Sequence, residues 1–351
     1  MSGNSTKSNR RKIVIVLTGL LLLSLLIFFA WPAPKRATPP QVAKSQSPAP
    51  QNNQPSAREQ AGGRLAASQI RAQRILKYGR AEGELGIVSH EGQPPVGPES
   101  FALAKDGGIL VADVVNQRIA LYSNSGTYLR SIELPGIALG DVMVDTQGRV
   151  YAYDQVRHSL HQYDAQGAAQ STLDLSPADI DTRGYFHIAG NSVYFADAAA
   201  RDVLVATLQD GVLTAADKSS ERTTDGIHGD SGRTYAMSLD KGQAVRLHVR
   251  DEAAKSAAHD VVVPVPGIVS ARFAGEDQAR RYYIQTERLA GTNIALEVLT
   301  FSPTGELAGT TRMPKNDYVF WTTKLVDVQT DGTIVQFLPQ QDQAELNLFA
   351  N

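Results

Sequence analysis

The sequence contains no cysteine. That excludes a disulfide framework, a thiolate metal site, a cysteine nucleophile and a lipid anchor carried on cysteine. It says nothing about compartment beyond this: export, if it occurs, needs no oxidative folding. Tryptophan and methionine are also scarce, at two and four of 351 residues. No Gly-x-Ser-x-Gly elbow, phosphate-binding loop or His-Glu-x-x-His run is present, so three common signatures of concentrated catalytic chemistry are missing.

Charge is nearly balanced overall, at −2, but unevenly placed. Up to Arg80 there are thirteen Lys and Arg against one acid, Glu59; from Ala81 onward there are twenty-one against thirty-five. A basic stem therefore carries an acidic body. An acidic body argues against nucleic-acid binding, which needs clustered cations to neutralise phosphate.

One apolar run is long enough to cross a bilayer. Residues Ile13 to Trp31 read IVIVLTGLLLLSLLIFFAW, without charge or proline. As a helix this run covers roughly 28 Å, close to the hydrocarbon thickness of a membrane. Lys7, Arg10, Arg11 and Lys12 precede it, and Lys35 and Arg36 follow. The bias predicts a cytoplasmic N-terminus and an extracytoplasmic body, in the inner or plasma membrane. The competing reading is a cleaved signal peptide. It requires bulky Phe28 or Trp31 three residues before the cut, and the run exceeds the usual length of a signal core. Pro32 to Pro55 holds seven of the seventeen prolines, a composition that favours extended, unfolded chain and suits a stalk. The segment 61–80 combines good helix formers with Gly79 as a C-cap, and predicts a short basic helix. The expected organisation is a basic cytoplasmic tail (1–12), an anchor (13–31), a Pro-rich linker (32–60), the basic helix (61–80) and a body (81–351).

The body is built from repeats. FALAKDGGILVADVVNQRIALYSNSG (Phe101 to Gly126) aligns without a gap on VMVDTQGRVYAYDQVRHSLHQYDAQG (Val142 to Gly167). Gly107 falls on Gly148, Asp113 on Asp154, Tyr122 on Tyr163 and Gly126 on Gly167. Each unit reads as four short strands separated by Gly and Asp turns, which is the arithmetic of a propeller blade. Weaker copies follow at Asn191–Gly211, Gly232–Val249, Ala271–Gly305 and Leu325–Phe349. The expected fold is all-β, a six-bladed β-propeller of four-stranded antiparallel blades, preceded by the transmembrane helix and linker. The last unit is one strand short. Glu84 to Ser89 is the candidate to supply that strand and close the ring, which places the domain start near Gly83.

The first units resemble the NHL-repeat family of β-propellers. The resemblance rests on Lys105-Asp106-Gly107-Gly108, on Val111-Ala112-Asp113, on Asn116-Gln117-Arg118-Ile119, and on the aromatic-to-glycine turn Tyr122 to Gly126. It fades after Asp217. Such motifs imply the fold rather than an activity. Asp113, Asp154 and Asp197 recur at one phase, which reads as a lock on the following turn in preference to a ring of metal ligands.

Propellers bind partners where the loops entering the innermost strands converge. The polar residues in those loops are Glu99, Asp141, His228, Arg272 and Lys324, the candidate ligand- or partner-binding residues. Related propellers that act as lactonases, esterases or lyases hold a central calcium or zinc with Asp, Asn, Glu and His. Here the seven histidines do not recur at a common phase, and no metal ligands or catalytic residues are assigned. Asp317 to Lys324, DYVFWTTK, carries three aromatics, read as packing between blades in preference to a binding hot spot. The leading functional expectation is a membrane-tethered scaffold that binds a protein or ligand of the cell envelope, without cofactor. The alternative is a calcium- or zinc-dependent hydrolase or lyase working at the channel mouth.

Overall fold

The computed structural model describes residues 70–176, 180, 184–217, 223–251, 258–291, 293–314 and 319–350. All of these belong to one compact unit, Gly63–Asn351. The proposed anchor and linker lie outside the described residues. No helix among the described residues is long and apolar enough to cross a membrane.

The first strand, β1 (Ile70–Lys77), belongs to the last blade. Blade 1 then comprises β2 (Phe101–Leu103), β3 (Ile109–Asp113), β4 (Arg118–Tyr122) and β5 (Tyr128–Glu133). Blade 2 is β6 (Leu139–Val144), β7 (Val150–Asp154), β8 (Ser159–Tyr163) and β9 (Ala169–Asp174). Blade 3 is β10 (Gly184–Ala189), β11 (Ser192–Asp197), β12 (Arg201–Gln209) and β13 (Val212–Ala215), with β14 (Thr223–Asp225) added beside β12. Blade 4 is β15 (Ile227–His228), β16 (Arg233–Asp240), β17 (Ala244–Asp251) and β18 (His259–Pro264). Blade 5 is β19 (Ile268–Glu276), β20 (Tyr282–Ala290), β21 (Asn293–Phe301) and β22 (Leu307–Met313). Blade 6 is β23 (Val326–Val328), β24 (Ile334–Pro339), β25 (Gln343–Phe349) and, outermost, β1. The six-bladed antiparallel propeller is therefore present.

Turn chemistry explains why the strands end where they do. Asp154 Oδ1 accepts from the amides of Val156 and Arg157 at 3.0 and 2.9 Å. Asp197 Oδ1 does the same for Ala199 and Arg201, both at 2.9 Å, while its Oδ2 accepts from Arg201 Nε at 2.9 Å. Asp113 accepts from Asn116 and from Arg118 Nε, the latter at 3.1 Å. The recurring aspartates are turn locks. A second lock fixes the hairpin after the innermost strand in blades 2 and 5. Asp145 accepts from Arg149 Nε (2.6 Å) and Tyr151 Oη (3.0 Å), and Asp277 accepts from Arg281 Nε (2.6 Å) and Tyr283 Oη (2.9 Å).

The core lies between blades rather than within one. Ala102, Ile132, Val142 and Tyr163 join blades 1 and 2; Met143, Leu160, Phe186 and Phe195 join blades 2 and 3. Phe101, Tyr122, Phe337 and Leu346 join blade 1 to blade 6. Each such cluster needs both of its blades, so the ring is stable only when closed.

Closure differs from the sequence expectation. The segment 61–80 was expected as a helix, yet Ile70–Lys77 forms β1, paired antiparallel with β25 from Ile70↔Phe349 to Lys77↔Gln343. Residues 61–69 lie outside the described residues. The reason is period: along β1 the less exposed side chains are Ala72, Arg74 and Leu76, every second residue. The free edge of β25 offers a row of backbone partners that outweighs local helix propensity. Glu84 to Ser89 does not close the ring. Leu85 is buried and bridges Tyr78, and Val88 bridges Val96. The folded body thus starts at or before Ile70, not near Gly83.

Candidate functional site in the central channel

A cavity of about 460 Å³ lies along the propeller axis. Every blade contributes to its wall. Ala102 and Leu103 come from blade 1, Met143 and Val144 from blade 2, Tyr185 and His187 from blade 3, and His228 and Asp230 from blade 4. Arg272 and Glu276 come from blade 5, and Lys324 and Asp327 from blade 6.

Three of the five residues expected from sequence, His228, Arg272 and Lys324, line this cavity. Asp141 and Glu99 do not. Asp141 is buried in the wall, where Ser100 Oγ, the Phe186 amide (2.6 Å) and the Val142 amide (2.8 Å) donate to its carboxylate. Its work is to tie blades 1, 2 and 3 together. Glu99 sits in the loop entering β2, and its carbonyl accepts from Thr323 N at 2.7 Å and Thr323 Oγ1 at 3.0 Å. Burial pushes its carboxyl up to about 7; a hydrogen bond from Gln155 pulls down and the charge of Asp141 pushes up. Of the five, Glu99 and Lys324 sit in loops entering innermost strands, whereas Asp141, His228 and Arg272 lie within β6, β15 and β19; His228 pairs with Thr234 beside the hairpin that leaves β15.

Two histidines share one carboxylate. His187 Nε2 is 2.8 Å from Asp202 Oδ1, and His228 Nδ1 is 2.9 Å from Asp202 Oδ2. The His228 amide donates to the same Oδ2 at 2.6 Å. Asp202 is 0% exposed. Burial raises its carboxyl, but the His187 charge and the hydrogen bonds of both histidines outweigh this and hold it below the usual carboxylate range. The Tyr194 ring stacks on His228 (4.4 Å between centroids, 7°) and on His187 (5.5 Å, 19°). The two imidazoles are therefore fixed in orientation, and among the described residues no hydrogen bond engages their other nitrogens.

The remaining wall is charged. The Arg272 guanidinium lies over the Tyr185 ring, 3.7 Å from its centroid, a stacked cation–π contact. Arg272 Nη1 donates to Thr323 O at 2.5 Å. Glu276 accepts from Ser231 N (2.9 Å), Ser231 Oγ (2.7 Å) and Tyr235 Oη. Burial first, and Glu276 second, push the Asp230 carboxyl above its ordinary value, with Asp327 adding to this and His187 opposing it. Burial likewise raises Asp327, which Lys324 and Arg272 only partly offset.

Metal binding has no fitted donor set here. Among the described residues, no three His, Asp or Glu side chains converge to hold an ion. The closest grouping, His187, Asp202 and His228, already spends one imidazole nitrogen each on the carboxylate.

Sequence reasoning missed Tyr185, His187, Asp202, Asp230, Glu276 and Asp327. None stands in a motif, and Asp202 lies on the third strand of its blade, away from any loop entering an innermost strand. In DYVFWTTK, Tyr318 lies outside the described residues; Phe320 is buried at 2% exposure between blades, while Trp321 is 74% exposed.

No protein-family model matches the chain, and no curated protein matches it. Among solved structures, hydrazine synthase of Kuenenia stuttgartiensis aligns at 11% identity over 68% of this chain and 76% of that chain, with a TM-score of 0.43. A streptogramin B lyase aligns at 12% identity over 79% and 97%, with a TM-score of 0.42. Virginiamycin B lyase of Staphylococcus aureus aligns at 11% over 80% and 99%, also at 0.42. At this level the likeness concerns the fold alone. The propeller itself is established by the strand pairing described above.

Proposed function

We propose that this chain is a membrane-tethered, extracytoplasmic β-propeller of NHL-repeat type that binds a small polar ligand of the cell envelope in its central channel. The observation that carries the reading is the shared-carboxylate cluster. Asp202 holds two imidazoles at fixed angles on the wall of a cavity of about 460 Å³, the size and polarity of a small-molecule site. A channel wall that served only to pack blades together would be apolar, as it is where Ala102, Leu103, Met143 and Val144 contribute. The tether rests on the apolar run 13–31 and its basic flank. The role is binding without a cofactor; the calcium- or zinc-dependent hydrolase or lyase is the second reading, and no specific contact favours it.

Two measurements test this. The purified full-length chain is incubated with the small-molecule fraction of cell envelopes and examined by native mass spectrometry. A retained adduct is expected for the wild type and not for Ile188→Trp, whose larger side chain would fill the cavity that Ile188 lines. An adduct that persists in Ile188→Trp sinks the channel as the site. For topology, protease added to intact spheroplasts is expected to digest the body; digestion only after lysis refutes the extracytoplasmic placement.

A further inference from the structure

Besides the exposed Lys105, the cavity wall holds two cations, Lys324 and Arg272, with unequal use of their donors. Lys324 is 7% exposed and lines the cavity. Among the described residues its ammonium makes no hydrogen bond and no ion pair. Arg272 spends Nη1 on Thr323 O and its face on Tyr185, but its buried Nε has no acceptor, and it too makes no ion pair among the described residues. Buried cations are ordinarily paired and hydrogen-bonded, because an ammonium or guanidinium out of bulk water without an acceptor is costly. The other charges nearby do not meet this need. Asp141 is turned to Ser100, Val142 and Phe186, which supply three donors. Asp327 Oδ1 accepts from the Val328 amide at 2.8 Å; Lys324 and Arg272 lower its carboxyl less than burial raises it, and neither makes an ion-pair contact with it among the described residues.

Resting on the reading of the channel as the binding site, we infer that Lys324 and Arg272 form an anion subsite that takes a carboxylate or phosphate group of the bound ligand. The division of labour follows from the two side chains. Arg272 is held flat by Tyr185, so its remaining N–H groups point in fixed directions suited to a planar or tetrahedral oxyanion. Lys324 contributes a compact charge with three donors that turn to whichever oxygens are present. The ligand is thus anionic at the Arg272–Lys324 side. It meets acids and imidazoles (Asp230, Glu276, His187 and His228) elsewhere on the wall, where hydroxyl or amine groups fit.

The test uses the full-length chain at constant ionic strength, titrated separately with inorganic phosphate and with acetate, chloride serving as the control. Binding is followed by calorimetry and by the rise in melting temperature that selective binding to the folded state produces. Saturable binding of phosphate, of acetate or of both is expected in the wild type, and the stronger of the two names the group. Lys324→Gln and Arg272→Gln are each expected to weaken it at least about tenfold; without added anion Lys324→Gln is expected to melt no lower than the wild type, whereas Arg272→Gln loses the bond to Thr323 O and the stack on Tyr185 and melts lower. Absence of saturable binding to either anion, or retention of it in Lys324→Gln, overturns the subsite. The envelope adduct separates this failure from failure of the channel reading. If Ile188→Trp abolishes the adduct and Lys324→Gln leaves it intact, the channel stands and the subsite falls. If the adduct survives Ile188→Trp, the channel reading itself falls.

Discussion

Replacing Asp202 by asparagine tests the cluster at the heart of the site. The carboxylate accepts three hydrogen bonds: His187 Nε2 at 2.8 Å, His228 Nδ1 at 2.9 Å and the His228 amide at 2.6 Å. An asparagine keeps one oxygen and turns an NH2 group towards the other partner. Only one histidine can then retain its acceptor, and the other loses a charge-assisted bond and meets a donor. A bond of that kind contributes about 1.5–3 kcal/mol, and the mismatched group adds its own desolvation cost. The expected loss is about 2–4 kcal/mol, or a fall in melting temperature of roughly 3–7 °C for a body of this size. The pH dependence follows from the direction of the shift. A carboxyl held below its unfolded value stabilises the fold above the ordinary aspartate range, and that contribution disappears as pH falls through the folded pKa. Circular dichroism melts of wild type and Asp202→Asn are therefore expected to differ most near neutrality and to converge in strong acid. A variant melting within about 2 °C of wild type at pH 7 would show that the two histidines are not held by this carboxylate.

Three further outcomes follow from the same contacts. Leu76→Ala removes the 2%-exposed anchor of β1 from the cluster joining blades 6 and 1; a loss of about 2–4 kcal/mol in chemical denaturation is expected, against less than about 0.5 kcal/mol for Lys77→Ala on the exposed face. Gly226→Ala is expected to cost at least about 1–3 kcal/mol, because φ is +100° and the new Cβ would stand 2.7 Å from the Ala236 backbone nitrogen, a contact no side-chain rotation relieves. For Glu99 the sign is opposite to that of Asp202: its carboxyl is raised to about 7 by burial, so the folded state holds its proton longer than the unfolded one, and stability falls as pH rises from the ordinary glutamate range through 7. Glu99→Gln should flatten that slope in melts between pH 4 and 8, and a variant with the wild-type slope would place the titrating group elsewhere.

What the sequence disclosed and what it hid have physical causes. The blades were legible because each is specified locally: a glycine turn, an aspartate that locks the next three or four residues, and an aromatic closing the third strand. Among the described residues, the side-chain hydrogen bonds of Asp154 and Asp197 reach only within five residues of themselves, so their role is written in one stretch of chain. β1 was hidden because its strand character comes from a partner more than 260 residues away, and its own residues favour helix. The channel was half hidden for the same reason. Lys324 was found because it sits in an entering loop, and Arg272 because Ser270 to Arg272 reads as one, although the structure makes it the middle of β19; Tyr185 becomes a binding feature only when blade 5 lays Arg272 across it.

The distribution of polar groups follows the decay of the repeat. Blades 1 and 2, whose sequences align without a gap, give the cavity Ala102, Leu103, Met143 and Val144 from their inner strands, with Lys105, Asp145 and Thr146 in the hairpins below. Blades 3 to 6, where the repeat fades, give Tyr185, His187, His228, Asp230, Arg272, Glu276 and Asp327. The sharpest departure from regularity lies at the junction of blades 3 and 4. There β12 is shared, its later half paired with β13 and its start with β14, and the innermost strand of blade 4 shrinks to the two residues of β15. That irregularity places His228 against Asp202, a residue of the preceding blade's third strand. A regular blade would keep an innermost strand apart from such a partner. Local consistency is highest where the chain only has to fold and is given up where several blades must present charge to one space. The fading of the repeat, which weakens the sequence resemblance, thus marks the side of the channel where binding chemistry is concentrated.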